Sequence, residues 1–379
     1  MKYKQCTRCI MDNRSDDTII FDENGHCNYC IKTLAIKNKI YFPNEEGTQK
    51  LYKLLKRIKD ENIKNKYDCV MGISGGLDSS YLAYLGSVKW GLRILAVHID
   101  DGFDTDISKR NIDRISKFPN LVLKTIYPDE KQYSELIKAY MRAGVPNLAV
   151  PQDNILFANI LKFAKENKIK TFMSGNNFAL ESILQRGNTH HYSDEVNLKY
   201  INKKFGKDSI DKLDILSSFK RGIDYNSLTV ETPLALNLID YNRDRALLEL
   251  NEYCGFEYYG SKHLENTLTK FIQQYWFYKK FNVDKRSSHL SSMIVSGQMS
   301  RDEAQRLYAL PLYDEDDMQK TICTVLNKLN MSKVEFDLIM SQTPKQHSEY
   351  PTFSYSWYHK IIYKTLRFFN KKRFEQIRL

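Results

Sequence analysis

The chain has 379 residues, which exceeds a typical single domain and predicts at least two packed units. Apolar residues make up 42% of it and charged residues 27%, a balance that excludes a disordered or fibrous protein. No apolar run reaches the length of a membrane helix or a signal peptide, so we expect a cytoplasmic protein without a membrane span. The net charge of +11 suits an anionic partner such as a nucleotide, although a solvated basic surface explains it equally well.

Four of the seven cysteines form two CxxC pairs near the start of the chain, Cys6 with Cys9 and Cys27 with Cys30. Two such pairs separated by a short loop bring four thiolates to the corners of a tetrahedron, which is the closed ligand set of a structural zinc ribbon. We therefore predict a Zn²⁺ site with an architectural role, in which TIIFD forms a strand and ENG a turn. Two redox dithiols are the alternative.

After a basic amphipathic helix predicted at residues 48–64, the chain alternates predicted strands and helices. The predicted strands are YDCVMGI, LRILAVHI, NLVLKTIY and KTFMSG. This alternation indicates an α/β fold with a doubly wound parallel sheet, whose ligands bind at the carboxyl ends of the strands. Polar clusters follow three of these strands, as SGGLDSS, DDGFDTD and GNN. The C-terminal third is predicted to be helical, with capping-box starts at SRDE and SKVE that flank the acidic joint YDEDD.

The sharpest motif is SGGLDSS at residues 74–80, between a predicted buried strand and a predicted helix. Its adjacent glycines permit a turn in which consecutive backbone N–H groups converge on an anion at the start of the helix. The side chains of Ser74, Ser79 and Ser80 add hydroxyl donors. A Walker loop requires a lysine that this motif lacks, so kinase and GTPase chemistry is disfavoured. A purely structural glycine turn is the alternative.

The pattern S-G-G-x-D-S after a first strand resembles the phosphate loop of the PP-loop ATP pyrophosphatases, which transfer AMP from ATP. The resemblance implies that ATP and Mg²⁺ are cofactors and that Asp78 lies near Mg²⁺. It also implies an adenine and ribose pocket at the end of the second strand, and a later nucleotide-contacting segment at GNN with Glu181 one helical turn further. The residues implied to contact the nucleotide are Ser74, Gly75, Gly76, Asp78, Ser79, Ser80, Val97, His98, Asp100, Gly175 and Asn176.

Taken in order, the CxRC…CNYC ribbon, the SGGLDSS loop and the segment at 260–304 are similar to the N-acetyl sugar amidotransferases. These WbpG/PseA-like proteins act in lipopolysaccharide, pseudaminic acid and flagellin-glycan pathways. The resemblance implies a nucleotide-sugar substrate whose acetamido group becomes an acetamidino group. It further implies that ammonia comes from a separate glutaminase subunit, with a cyclase-like channel subunit as a second partner.

The chemistry follows from the weakness of an amide carbonyl as an electrophile. Transfer of AMP to the amide oxygen gives an O-adenylyl imidate, ammonia attacks the imidate carbon, and AMP leaves. Mg²⁺ and fixed donors stabilise the charge on the departing pyrophosphate. Besides Asp78, the candidate catalytic residues are Lys285, Arg286 and His289 of the stretch DKRSSH. A solvated basic loop is the alternative explanation of that stretch.

No glutaminase is apparent in the sequence, because residue 2 is Lys and no spare cysteine has the small-residue flanks of a nucleophile elbow. We divide the chain into a zinc ribbon at 1–47, an ATP-binding α/β domain at 48–235 and a helical substrate- or partner-binding region at 236–379. The acidic joint in that last region argues against docking on nucleic acid.

Two other functions compete with the amidotransferase. A PP-loop tRNA-modifying enzyme, either a thiolase or a lysidine-type synthetase, would share the ATP loop and would explain the positive charge. Against it, thiolation usually needs a reactive cysteine near the ATP site, and Cys69 has no partner in the sequence. The other competing hypothesis is a zinc-ribbon adaptor protein that binds nucleotide without catalysis.

Overall fold

The computed structural model describes residues 3–217, 230–260 and 264–353. Within these ranges a parallel sheet has four strands in the order β3-β2-β1-β4. The strands are β1 (Cys69–Gly72), β2 (Ile94–Ile99), β3 (Leu121–Ile126) and β4 (Phe172–Met173). The chain extends the sheet from β1 to β3 and then places β4 on the opposite side of β1, which creates a switch point beside the carboxyl end of β1. The predicted α/β class with a parallel sheet is confirmed.

The strands form because both faces of the sheet are covered. All six residues of β2 are buried, as expected for a parallel strand between two layers. Alternate side chains enter different cores: Ile94 packs in the core that contains Met71, whereas Leu95 packs in the core that contains Val70. This alternation holds the sheet rigid, so the loops at its carboxyl edge start from fixed positions.

Helices surround the sheet and make up most of the C-terminal third, as predicted. The helices up to residue 205 are α1 (Asn28–Ile40), α2 (Glu45–Glu61), α3 (Leu77–Tyr84), α4 (Asp106–Ser116), α5 (Glu130–Ala143), α6 (Val150–Glu166), α7 (Phe178–Glu181) and α8 (Glu195–Phe205). The later helices are α9 (Arg243–Cys254), α10 (Thr267–Lys270), α11 (Phe277–Phe281), α12 (Arg286–Ser296), α13 (Arg301–Ala309), α14 (Glu315–Lys328) and α15 (Lys333–Ser341). None of those described has the length and apolar character that a bilayer span requires.

The serine N-caps predicted for the C-terminal third are confirmed, but the described residues show no bond from the side chain of Glu303 or Glu335 back to the cap, so neither capping box is complete. The hydroxyls of Ser300 and Ser332 accept the backbone N–H groups of Glu303 and Glu335, each at 3.1 Å, and so begin α13 and α15. The sequence suggested that the acidic stretch YDEDD only connects two short helices. In the structure, part of this stretch belongs to α14. Asp314 caps α14, and the acids after it lie in the first turn, where the helix dipole stabilises negative charge.

The cysteine-rich segment has less regular structure than its sequence predicts. TIIFD forms no strand, and an isolated antiparallel bridge between Phe21 and Cys27 stands in its place. The backbone N–H groups of Thr18 and Ile19 donate instead to Asp16, at 2.8 and 3.3 Å, and so are unavailable to a strand partner. The predicted turn is present, with Gly25 at a φ of +77°.

Candidate active site

A cavity of about 420 Å³ opens at the carboxyl ends of β1, β2 and β4. This is the switch point of the sheet, where α/β folds bind their ligands. The SGGLDSS loop follows β1 and leads directly into α3, so the start of that helix faces the cavity. Gly75 has a φ of +75°, and a Cβ there would lie 2.5 Å from the Ser108 hydroxyl oxygen, so the turn requires glycine. The loop therefore has the geometry of an anion-binding helix start.

Seven of the residues expected to contact the nucleotide line this cavity. They are Ser74, Gly76, Asp78, Ser79, His98, Gly175 and Asn176. They converge although they lie at the carboxyl ends of three different strands. A Cβ on Gly175 would lie only 3.1 Å from the backbone nitrogen of Ser79, so the loop after β4 lies directly against α3.

The other four expected contacts do not line the cavity. Gly75 makes the turn, and Ser80 is buried with its hydroxyl donating to the carbonyl oxygen of Gly76 at 2.6 Å. The side chain of Val97 lies in the core that contains Val70. The carboxylate of Asp100 accepts the backbone N–H of Gly102 at 3.1 Å.

The basic stretch DKRSSH also lies outside the cavity wall. Arg286 binds the Asp284 carboxylate, and its guanidinium caps α13 by donating to the carbonyl oxygens of Leu307 and Leu310 at 3.3 and 3.0 Å. Lys285 lies over the ring of Phe277, with 5.2 Å between its nitrogen and the ring centre, and burial lowers the pKa of Lys285 to about 8.

His289 contacts a segment that reaches the cavity wall. Its Nδ1 is 3.1 Å from the carbonyl oxygen of Leu180 in α7, and the next residue, Glu181, lines the cavity. Two hydroxyls of α12 join the same segment, because Ser296 donates to the carbonyl oxygen of Ala179 and Ser292 accepts the N–H of Ile183, both at 2.9 Å. The helix that follows DKRSSH thus holds α7 in place from behind.

Three residues near the loop were missed by sequence reasoning. Tyr241 donates its hydroxyl proton to Asp78, the hydroxyl of Tyr259 accepts the N–H of Leu77 at 2.8 Å, and Glu265 accepts the hydroxyl of Ser74 at 3.3 Å. Burial, together with Asp78, raises the pKa of Tyr241 well above its ordinary value, so this phenol stays a donor. These partners are 163 to 191 residues from the loop, a separation at which no local sequence pattern signals contact.

His98 has two acceptors. Its Nδ1 is 2.9 Å from the carbonyl oxygen of Ile73, and its Nε2 is 2.9 Å from the Asp104 carboxylate. Although burial favours the neutral ring, these acceptors raise the pKa of His98, and the charged form donates to both. Among the described residues no Lys or Arg lines the cavity, whereas five acids do: Asp78, Asp104, Asp153, Glu181 and Glu265. The described wall is therefore predominantly acidic.

Asp153 lines the cavity, and the pKa of its carboxyl can be tested by experiment. Burial raises the pKa of this carboxyl to about 7, from 3.8 in an unfolded chain. A raised acid pKa favours folding at low pH, and this contribution is lost as the pH rises from about 4 through about 7. Asp153→Asn removes the titrating group, so above pH 7 we expect the variant to be more stable than the wild type.

The measurement is thermal denaturation of both proteins at several pH values without nucleotide. We expect the advantage of the variant in melting temperature to grow between pH 5 and pH 8. Parallel curves for the two proteins would contradict a raised pKa of Asp153.

The four cysteines of the two CxxC pairs lie together in a buried cluster, with all four sulfurs within 4.8 Å of one another. The sulfurs of Cys6 and Cys30 are 3.7 Å apart, and those of Cys9 and Cys27 are 3.6 Å apart. Zinc–sulfur bonds of about 2.3 Å in a tetrahedron place the sulfurs about 3.8 Å apart. In a four-iron cluster each cysteine binds a different iron, which spreads the sulfurs further. The cluster is thus compatible with a single zinc ion, and none of its cysteines lines the cavity.

Residues 265–366 match the family model described as "LPS biosynthesis protein WbpG-like, C-terminal domain". The resemblance to WbpG-like proteins is confirmed. The matched WbpG-like region begins at Glu265, which contacts the glycine loop, and it includes the helix α12 that supports α7. No curated protein matches the chain.

Solved structures of three enzymes are similar to the chain at low identity. The NH3-dependent NAD synthetase from Campylobacter jejuni subsp. jejuni NCTC 11168 is 16% identical with a TM-score of 0.29, over 54% of this chain and 83% of that one. The NMN synthetase from Francisella tularensis is 16% identical with a TM-score of 0.29, over 72% and 98%. The U34-tRNA thiolase NcsA from Methanococcus maripaludis is 17% identical with a TM-score of 0.31, over 81% and 89%. Because these TM-scores are low, the fold assignment rests on the sheet order and the loop described above.

Proposed function

We propose that this chain is an ATP-dependent amidotransferase that converts the acetamido group of an activated nucleotide sugar into an acetamidino group, forming AMP and pyrophosphate. The observation that carries the proposal is the contact between Ser74 and Glu265. It joins an anion-binding glycine loop to the first residue of the WbpG-like region in one cavity. The WbpG-like description also supports a place in lipopolysaccharide biosynthesis.

The cavity offers a separate environment for each part of ATP. The glycine loop and the start of α3 suit the pyrophosphate. Leu156, Phe157 and Phe172 also line the cavity, and these apolar side chains suit the adenine ring. The carboxylates of Asp78 and Glu181 are the oxygen ligands that we assign to Mg²⁺, which neutralises charge on the departing pyrophosphate when bound.

The amide oxygen of the sugar attacks the α-phosphorus, and the bond to pyrophosphate breaks. Ammonia then attacks the imidate carbon and loses a proton, and the bond to the AMP oxygen breaks. We assign the Asp78 side chain to the phosphate end of this reaction. We assign positioning roles to Lys285, Arg286 and His289, because none of the three lines the cavity. His289 contacts α7, and Arg286 caps α13.

A tRNA thiolase is the second candidate, and the cysteines argue against it. Thiolation needs a sulfur at the ATP site, and none of the seven cysteines lines the cavity. Cys69 precedes the loop in sequence but is fully buried in β1, and burial raises the pKa of its thiol far above the ordinary value. An unreactive thiol in the core does not support sulfur transfer.

The test is a product analysis of the purified chain with ATP, Mg²⁺, ammonium and candidate UDP- or CMP-linked acetamido sugars. We expect AMP and pyrophosphate, and a sugar nucleotide in which NH has replaced the amide oxygen. The matched control is the same sugar nucleotide with a hydroxyl in place of the acetamido group, which should leave ATP intact. ADP as the nucleotide product would contradict the proposal.

The nitrogen donor is tested in the same assay. An O-adenylyl imidate exposed to water would hydrolyse back to the amide, so ammonia has to enter a closed site. We propose that a separate glutaminase subunit delivers it, with a cyclase-like channel subunit between the two. The single chain should therefore use ammonium at high concentration and fail with glutamine. Efficient use of glutamine by the pure chain would contradict the proposal of a separate glutaminase subunit.

A further inference from the structure

Asp153 is a carboxylate of the cavity wall, in the first turn of α6. In the part of the chain that the structure describes, no group donates a hydrogen bond to this carboxylate and no cation pairs with it. Asp104, another acid of the wall, differs because it binds Nε2 of His98 at 2.9 Å. A partly buried carboxylate that faces a cavity in this way costs stability, which makes it a candidate for a role in the chemistry.

The residues on both sides of Asp153 are held in place. Gln152 donates its side-chain N–H to the Asp101 carboxylate at 2.7 Å. The side-chain amide of Asn154 donates to the carbonyl oxygen of Leu216 at 3.0 Å and accepts the N–H of the same residue at 2.8 Å. The carboxylate of Asp153 therefore extends into the cavity from a fixed stretch of backbone.

Asp101 joins this turn of α6 to the WbpG-like region. The side-chain N–H of Asn266 donates to the second oxygen of the Asp101 carboxylate at 3.2 Å, and Asn266 itself lines the cavity. The preceding residue, Glu265, contacts Ser74 of the glycine loop. The first turn of α6, the start of the WbpG-like region and the glycine loop therefore border the same part of the cavity.

The adenine surface is also next to Asp153. Leu156 and Phe157 follow one helical turn later on α6 and line the same cavity. With AMP on these apolar side chains and the sugar on the WbpG-like side, the bond that joins the two substrates lies near the Asp153 carboxylate.

We propose that the carboxylate of Asp153 is the general base that takes a proton from the attacking ammonia. This inference rests on the proposed amidotransferase function. The lone pair of ammonia forms the bond to the imidate carbon, and the C=N electron pair moves to the sugar nitrogen. The new ammonium group passes one proton to Asp153. A nitrogen lone pair then restores the double bond, and the C–O bond breaks with its electron pair on AMP. The proton leaves Asp153 for solvent when the products depart.

The basicity of this carboxylate suits the task. Burial raises the pKa of the Asp153 carboxyl to about 7, so near neutral pH a large part of it is ionised. A general base is most effective when its pKa lies near the working pH, because it is then both available and strong enough to take the proton. An ordinary aspartate is a much weaker base.

The experiment follows a single turnover by rapid quench, with enzyme in excess over ATP and with Mg²⁺, the sugar nucleotide and ammonium present. Pyrophosphate reports the transfer of AMP, and the amidine reports the ammonia step. In Asp153→Asn we expect pyrophosphate to form at nearly the wild-type rate and the amidine to form about 100-fold more slowly. With hydroxylamine as the nucleophile the defect should shrink to about tenfold or less, because the adduct of this weaker base loses its proton to water more easily.

Glu166→Gln is the matched control, since it removes an exposed carboxylate at the other end of α6. Both of its rates should equal those of the wild type. Thermal denaturation of each variant shows that it is folded under the conditions of the assay.

The outcomes separate the two proposals. If Asp153→Asn slows pyrophosphate as much as the amidine, Asp153 acts in the transfer of AMP, for example as a ligand of Mg²⁺, and the inference is wrong. It is also wrong if the amidine rate is unchanged, or if the defect is equally large with hydroxylamine. If the wild type forms neither pyrophosphate nor amidine, the proposed function fails, and the inference fails with it.

Discussion

Asp78→Asn should lower the rate of AMP formation by about 100-fold or more while leaving the melting temperature nearly unchanged. The carboxylate lines the cavity in the first turn of α3, and its charge is what a phosphate-bound cation requires. Asparagine removes that charge but keeps an oxygen that accepts the hydroxyl of Tyr241. The measurements are steady-state AMP release as a function of Mg²⁺ concentration, and thermal denaturation.

Two controls accompany this variant. Tyr241→Phe removes the hydroxyl but keeps the ring, whose centre is 5.7 Å from that of Tyr81, so it should cost less activity than the loss of the charge. Asp302→Asn changes an exposed acid in the first turn of α13 and should have no effect on turnover. Near-normal turnover of Asp78→Asn would remove Asp78 from the site.

Cys27→Ser should abolish metal binding and lower the melting temperature by about 10 °C or more. The wild type should contain one zinc ion per chain, because four buried sulfurs complete a tetrahedron with no open position. Without the metal, the cysteine thiols stay buried next to one another, and no metal–sulfur bond offsets the cost of burying them. Metal analysis and thermal denaturation measure the two effects.

The loss should extend to the nucleotide site, because the ribbon holds the segment that follows α7. The hydroxyl of Tyr29, in the second CxxC pair, accepts the N–H of Arg186 at 2.8 Å, and the hydroxyl of Thr33 donates to the carbonyl oxygen of Ser182 at 3.2 Å. Glu181 immediately precedes these contacts. We therefore expect Cys27→Ser to weaken binding of Mg²⁺-ATP as well.

The control for this variant is Cys323→Ser, which changes an exposed cysteine in α14 and should alter neither the metal content nor the melting temperature. A metal-free wild type that melts at the same temperature as the metal-bound form would contradict the structural role. Iron in place of zinc would contradict the identity of the metal.

Features that depend on a few neighbouring residues were predictable from the sequence. The apolar run at 94–99 predicted a strand covered on both faces, and two glycines before a helix predicted the loop at the cavity. The serines before α13 and α15 predicted their first turns. Cysteine spacing predicted a four-sulfur cluster because each pair spans a single turn of chain. In each case the hydrogen bonds or the ligand geometry lie within the segment itself.

The composition of the cavity wall depended on packing between distant segments. Glu265 and Tyr241 reach the glycine loop only because residues after 235 pack against α3 and the segment after β2, and nothing in their own neighbourhood signals it. The same packing places His289 behind α7 instead of inside the cavity. The local sequence determines which backbone turns can bind an anion, but the charge that surrounds such a turn depends on contacts between segments more than 100 residues apart, whose positions the two cores fix.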